Sequence, residues 1–137
     1  MQKVVCCFLS VFLVAMVIGC SGDNVSLKGK VTFKEDGSPV PRGTVCFETE
    51  SFRARGILSS DGTYKVGSLK ENDGIPPGTY KVYIFGAEAP IEDVAGNMNA
   101  LRAVPLVARK YTNAETSGIT VQVDAKTKQF DFQVEKP

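Results

Sequence analysis

From residue 25 to residue 134 the chain keeps returning to a period of two, apolar then polar, the signature of strands with one buried face. Val25, Leu27, Gly29, Val31 and Phe33 alternate with Ser26, Lys28, Lys30 and Thr32, which predicts a first strand over 25–33. A loop dense in Gly and Pro, 35–43, leads to a second strand over 44–50 with Val45 and Phe47 inward, and the two read as a hairpin or an adjacent pair. Strands over 52–58 and 63–66 flank Ser59-Ser60-Asp61-Gly62, whose Asp-Gly step supplies the positive dihedral of a tight hairpin turn. After the loop 70–78, a strand over 79–85 places Tyr80, Val82 and Ile84 on one face and Tyr83 and Phe85 on the other. Both faces read as covered, which makes this strand central. The rhythm fails over 86–104, a long loop, and order returns near Pro105. Strands over 119–123 and 130–134, joined through 124–128, close the chain as a C-terminal hairpin.

Seven short strands, turn signals at close spacing and no amphipathic helix beyond a turn or two predict an all-β, seven-stranded antiparallel β-sandwich, with a closed barrel as the competing architecture. The motifs within it also carry a resemblance. Gly29-Lys30-Val31, Gly37-Ser38-Pro39-Val40, Gly43-Thr44-Val45-Cys46-Phe47, Gly56, Asp61-Gly62-Thr63-Tyr64 and Gly78-Thr79-Tyr80-Lys81-Val82 follow one another in the order of the carboxypeptidase-regulatory-like, transthyretin-like (prealbumin-like) sandwich. Lys110-Tyr111 and Ser117-Gly118-Ile119-Thr120-Val121 resemble the closing segment of small bacterial lipoproteins that carry such a domain. The resemblance implies an accessory, adhesive or scaffolding module without catalytic residues of its own.

The first twenty residues have a different pattern. Lys3 precedes an apolar run over 4–18, and Val17-Ile18-Gly19-Cys20 follows, the order expected of a secretory signal with a small residue before the cut. With cysteine after the cut, the segment resembles the lipobox of a bacterial lipoprotein precursor. That resemblance implies cleavage before Cys20 and attachment of a diacylglyceryl group to its thiol and an acyl chain, such as palmitate, to its amine. A run of 15 residues falls short of the roughly 20 apolar residues that a bilayer-spanning helix needs. The competing readings are an uncleaved anchor and a buried N-terminal helix. The expected organisation is therefore a signal helix over 1–19, a lipidated tether over 20–24 and a sandwich domain over 25–137. Ser21, rather than aspartate, after the cysteine favours the outer over the inner membrane of the cell envelope.

Charge and cysteine counts narrow the function. Removing 1–19 deletes only Lys3 among charged residues, so 16 basic side chains become 15, against 15 acidic ones, and formal net charge falls from +1 to zero. Both signs are interspersed along the chain, which argues against a nucleic-acid partner. With Cys6 and Cys7 in the signal and Cys20 lipidated, Cys46 is the last thiol, and no internal disulfide can form. It reads as a small buried hydrophobe before a reactive nucleophile.

Catalytic chemistry finds few candidates. The chain has no histidine, so neither a Ser-His-Asp nor a Cys-His arrangement can be assembled, and one cysteine without histidine cannot close a structural zinc site. No phosphate loop or dinucleotide fingerprint occurs, and no cofactor is expected. Carboxylate pairs such as Glu48 with Glu50 or Glu92 with Asp93 read as solvated surface charge. A calcium site could draw on Asp61, Asp73 or Glu92-Asp93, but none shows the spacing of an EF-hand loop. The expected protein is a non-catalytic module held to the membrane through Cys20, with envelope proteins or glycan as further partners. The alternative is a carbohydrate-binding module that uses the 86–104 loop and the exposed tyrosines Tyr83 and Tyr111. The absence of tryptophan, the best platform for a sugar ring, counts against that alternative.

Overall fold

The computed structural model describes residues 23–89 and 103–137. The predicted signal, Cys20 and most of the 86–104 loop lie outside the described residues. Nine strands are present: β1 (Lys28–Phe33), β2 (Thr44–Glu48), β3 (Arg53–Ile57), β4 (Thr63–Lys65), β5 (Gly78–Phe85), β6 (Glu88–Ala89), β7 (Val104–Pro105), β8 (Ile119–Val123) and β9 (Phe132–Val134). A 3-10 turn over Arg109–Thr112 is the only helical element among the described residues. The strands form a three-stranded sheet in the order β4-β1-β9, a four-stranded sheet in the order β3-β2-β5-β8, and a small β6-β7 pair. The architecture is all-β, a sandwich with its apolar core between the two main sheets.

The period-two pattern decides which side chains meet there. Val31 and Phe33 from β1, Tyr64 from β4 and Val134 from β9 face Val45 and Phe47 from β2, Ala54 from β3, Tyr80, Val82 and Ile84 from β5, and Val121 and Val123 from β8. Phe47 is fully buried, and its ring centroid lies 6.0 Å from that of Tyr64 and 6.5 Å from those of Tyr80 and Phe130. Tilted and edge-on aromatic contacts at this spacing add to the burial energy of the rings themselves.

Three local expectations are corrected. The first and second strands are neither a hairpin nor neighbours, because β1 lies in the three-stranded sheet and β2 in the four-stranded one. The last two strands also part company. After β8, a turn in which Thr127 N–H bonds to Asp124 O at 3.0 Å carries the chain across to β1, where Phe130 N–H bonds to Lys28 O at 2.9 Å. β9 then runs parallel to β1, with Val31 opposite Phe132 and Phe33 opposite Val134, so the sandwich is not antiparallel throughout. A connection of this length can step across the roughly 10 Å between packed sheets instead of reversing within one. The third correction concerns β5. It sits between β2 and β8, yet only one of its faces is covered, and Phe85 is 68% exposed.

The Asp61-Gly62 turn forms as expected, with Gly62 at φ +79°, Gly62 N–H bonded to Ser59 O at 2.8 Å and Ser59 N–H to Thr63 O at 2.9 Å. The strands on either side of this turn do not make an ordinary hairpin. Arg55 and Gly67 exchange backbone hydrogen bonds of 3.0 and 2.9 Å, but Ile57 and Lys65, the pair midway between that bridge and the turn, form no ladder rung. β3 joins β2 and β4 joins β1, so the hairpin is pulled open and its two arms belong to different sheets.

Candidate functional site

The seam opened between β3 and β4 is a groove of about 790 Å³. Its walls come from outward positions of β1, β3 and β4, from the loop 67–72, and from Gln129 and Asp131 beside β9. Five cationic side chains line it: Lys28 and Lys30 on β1, Arg55 on β3, Lys65 on β4 and Lys70 on the loop. Glu71 and Asp131 are the acidic residues of the lining, which leaves a surplus of three positive charges. Asp131 is already engaged, since its carboxylate accepts Lys30 N–H at 2.8 Å and Gln129 Nε2–H at 2.6 Å.

The register makes this gathering costly. Lys28 lies directly opposite Lys65 across the β1–β4 ladder, and like charges in that position repel. Among the described residues, none of the five cations takes part in an ion pair. A surface optimised for stability would have placed a carboxylate in one of these positions. Two apolar side chains also stand in the lining: Leu69, 91% exposed on the loop, and Ile57, 66% exposed on β3.

Asp73 holds the loop that carries Leu69 and Lys70. Its carboxylate accepts backbone N–H from Ser68, from Leu69 at 3.1 Å and from Lys70 at 3.0 Å, and these bonds hold its pKa below the usual carboxylate value. Asn24 closes the same loop from the N-terminal side, donating from Nδ2 to Asp73 O at 3.2 Å and to Ser68 Oγ at 3.4 Å. Next to it, Val25 and Ile75 form an antiparallel bridge.

The other sequence candidates have structural employment. Asp61 accepts Thr63 Oγ1–H at 2.6 Å and Thr63 N–H at 3.0 Å, and these bonds depress its pKa. Among the described residues no three His, Cys, Asp or Glu side chains converge where a metal ion could be held. Glu48 Oε2 pairs with Arg53 Nη2 at 3.0 Å and accepts the Tyr83 hydroxyl at 3.0 Å; Glu50 is exposed in the bend two residues beyond β2. Glu92 and Asp93 lie outside the described residues.

Tyr83 is half-buried, and burial is the main cause that pushes its hydroxyl pKa up to about 12. Tyr111 is not a surface platform. It is 3% exposed, packed under Lys34 and Lys110, whose Nζ atoms stand 6.0 and 5.0 Å from its ring centre. Both lysines also reach Glu135, at 2.9 and 2.6 Å, and the paired bonds lower the Glu135 pKa to about 2. Cys46 is 7% exposed on the outer side of β2, and desolvation raises its thiol pKa.

Reading the sequence missed the groove. Its signal was present as same-sign charges at alternate outward positions of the first strand, Lys28 with Lys30, and as Arg55 and Lys65 at outward positions of two later strands. Which of these strands lie side by side depends on the sheet order, and the interspersed charges of the whole chain gave no reason to pair them.

No protein-family model and no curated protein matches the chain. Among solved structures it is similar to a DUF3823 family protein from Bacteroides ovatus ATCC 8483, with a TM-score of 0.45 and 18% identity. The match covers 82% of this chain and 45% of that one, so this chain spans less than half of that protein's length.

Proposed function

We propose that the protein is a lipid-anchored, non-catalytic module of the bacterial cell envelope, with Cys20 as the attachment point and a role in holding or contacting other envelope components. The observation that carries this reading is the distance between the anchor and the fold. The first pairing of the domain, Val25 with Ile75, follows Cys20 by five residues, so the lipobox sequence leads almost directly into the sandwich. More than one acyl chain on that cysteine would hold the domain stably at a membrane, where a single chain holds only marginally. Ser21 at the following position supports the outer membrane as its location.

We read the module as transthyretin-like. Support comes from the division of strands, three in one main sheet and four in the other, and from the family-like motifs, of which Asp61-Gly62 forms its turn and Gly29 packs its backbone against Phe130. The non-catalytic reading rests on the chemistry of the side chains. The chain lacks histidine, and the carboxylates with displaced pKa values, Asp36, Asp61, Asp73, Asp124 and Glu135, all accept hydrogen bonds that close turns or tie chain segments together.

The test is the intact mass of the N-terminal peptide, recovered from membranes of cells that express the full chain, beside a Cys20→Ala variant. A peptide that begins at lipid-modified Cys20, absent from the variant, is the expected result. An unmodified peptide beginning at Met1, or a cut elsewhere, overturns the anchor.

A further inference from the structure

We infer that the cationic groove is a membrane-facing surface, which lies against the phosphates of anionic lipid headgroups with Leu69 at the apolar boundary beneath them. The inference rests on the lipid anchor proposed above and adds to it an orientation.

Three observations meet at one place. Lys28, Lys30, Arg55, Lys65 and Lys70 gather around the groove with none of them in an ion pair among the described residues, and the direct Lys28–Lys65 opposition leaves positive charge unanswered by the protein. Leu69 stands on the same lining, 91% exposed, on a loop fixed by the Asp73 carboxylate. Asn24 is bonded to that loop, at Ser68 and Asp73, and is four residues from Cys20. Four residues span at most about 14 Å of chain. A lipid on Cys20 therefore tethers the loop that carries Leu69 and Lys70 by at most about 14 Å of chain, and a tether short of full extension brings it inside the roughly 8–10 Å over which an anionic surface attracts basic side chains.

Residence at the membrane does not need the groove, because the acyl chains supply it. What the groove supplies is a preferred face. With the β3–β4 seam turned to the lipid, the opposite edge of the four-stranded sheet at β8, including the exposed Thr120 and Gln122, remains turned away for other contacts.

The absence of tryptophan from the chain makes the test direct. The full-length protein, processed in cells and extracted from their membranes, is prepared as Leu69→Trp and as Thr120→Trp, the latter exposed on β8 three strands from β3, and reconstituted into phosphatidylglycerol or phosphatidylcholine vesicles containing lipids brominated along their acyl chains. The expected result is a blue shift and bromine quenching of the Leu69→Trp emission in phosphatidylglycerol. Both should be lost in phosphatidylcholine, at high salt, and when Lys28→Glu, Lys65→Glu and Lys70→Glu are combined with it. Thr120→Trp should stay unquenched throughout. Equal quenching at both positions, or Leu69→Trp emission indifferent to lipid charge and salt, overturns the proposal. So does protection of the groove lysines from acetylation by a soluble uronate oligosaccharide but not by the lipid, which would assign the groove to an acidic glycan.

The mass of the N-terminal peptide is read on the same samples. Lipidated Cys20 without quenching overturns the orientation and leaves the anchor standing; unmodified Cys20 removes the anchor and, with it, the orientation.

Discussion

Gly29 sits where a methyl group has no room, and replacing it with alanine tests how β4 and the segment before β9 are tied together across β1. A Cβ at this position would lie 1.8 Å from Phe130 O and 2.6 Å from Tyr64 Oη. Those two atoms are partners, since the Tyr64 hydroxyl of β4 donates to the Phe130 carbonyl, two residues before β9, over β1 between them. Tyr64 is 3% exposed and burial drives its pKa far upward, so the hydroxyl stays protonated and available as a donor. Forcing a methyl into a filled core costs about 1–3 kcal/mol, and a buried hydrogen-bonding group left without its partner costs about 1–3 kcal/mol more. Gly29→Ala should therefore lose about 2–6 kcal/mol, a large share of the 5–15 kcal/mol typical of a small domain. In urea, with a slope of about 1–3 kcal/mol per molar, the unfolding midpoint should fall by about 2 M. Tyr64→Phe alone should cost about 1–2 kcal/mol, because it removes the donor without adding volume. In the double variant one of the two obstructions to the new methyl is gone, so its cost should fall short of the sum of the single costs by more than about 0.5 kcal/mol. A Gly29→Ala midpoint within error of the parent, or strict additivity, would refute the reasoning.

The same geometry sets other expectations. Glu135 has a folded-state pKa of about 2 against an ordinary 4.5, so its bonds to Lys34 and Lys110 favour folding fully above pH 4.5. That contribution fades as pH falls toward 2, and the urea midpoint of the parent should drop more steeply from pH 6 to 3 than that of Glu135→Gln. Asp73→Ala should speed hydrogen exchange at the Leu69 and Lys70 amides and leave the β5 amides unchanged, because the carboxylate bonds the former directly. In the processed protein Cys46 should react with a thiol reagent only as fast as the domain opens, given its burial and raised pKa; a fast phase without denaturant contradicts this.

The amino-acid pattern by itself determined the class of the fold and the inward face of nearly every strand. Side-chain direction along a strand depends only on residue parity, and the Gly-, Pro- and Asp-rich segments that end strands act through local backbone preferences. For that reason Val31, Phe47, Val82 and Val121 were legible as core, the turn at Asp61-Gly62 was legible as a turn, and Cys46 was legible as lying on the opposite side of its strand from Phe47.

Partnership between strands was not legible. Nothing in the local pattern distinguishes a connection that reverses within a sheet from one that crosses to the other sheet, which is why β1 with β2 and β8 with β9 read as neighbours and are not. Tyr111 shows the same limit. A polar-flanked tyrosine near the end of a loop looks exposed until Lys34 and Glu135, distant in sequence, close over it. The groove depends entirely on tertiary structure. Lys28 and Lys65 are 37 positions apart and stand opposite each other only because β4 leaves β3 to join β1, and the charge they concentrate exists only in that register.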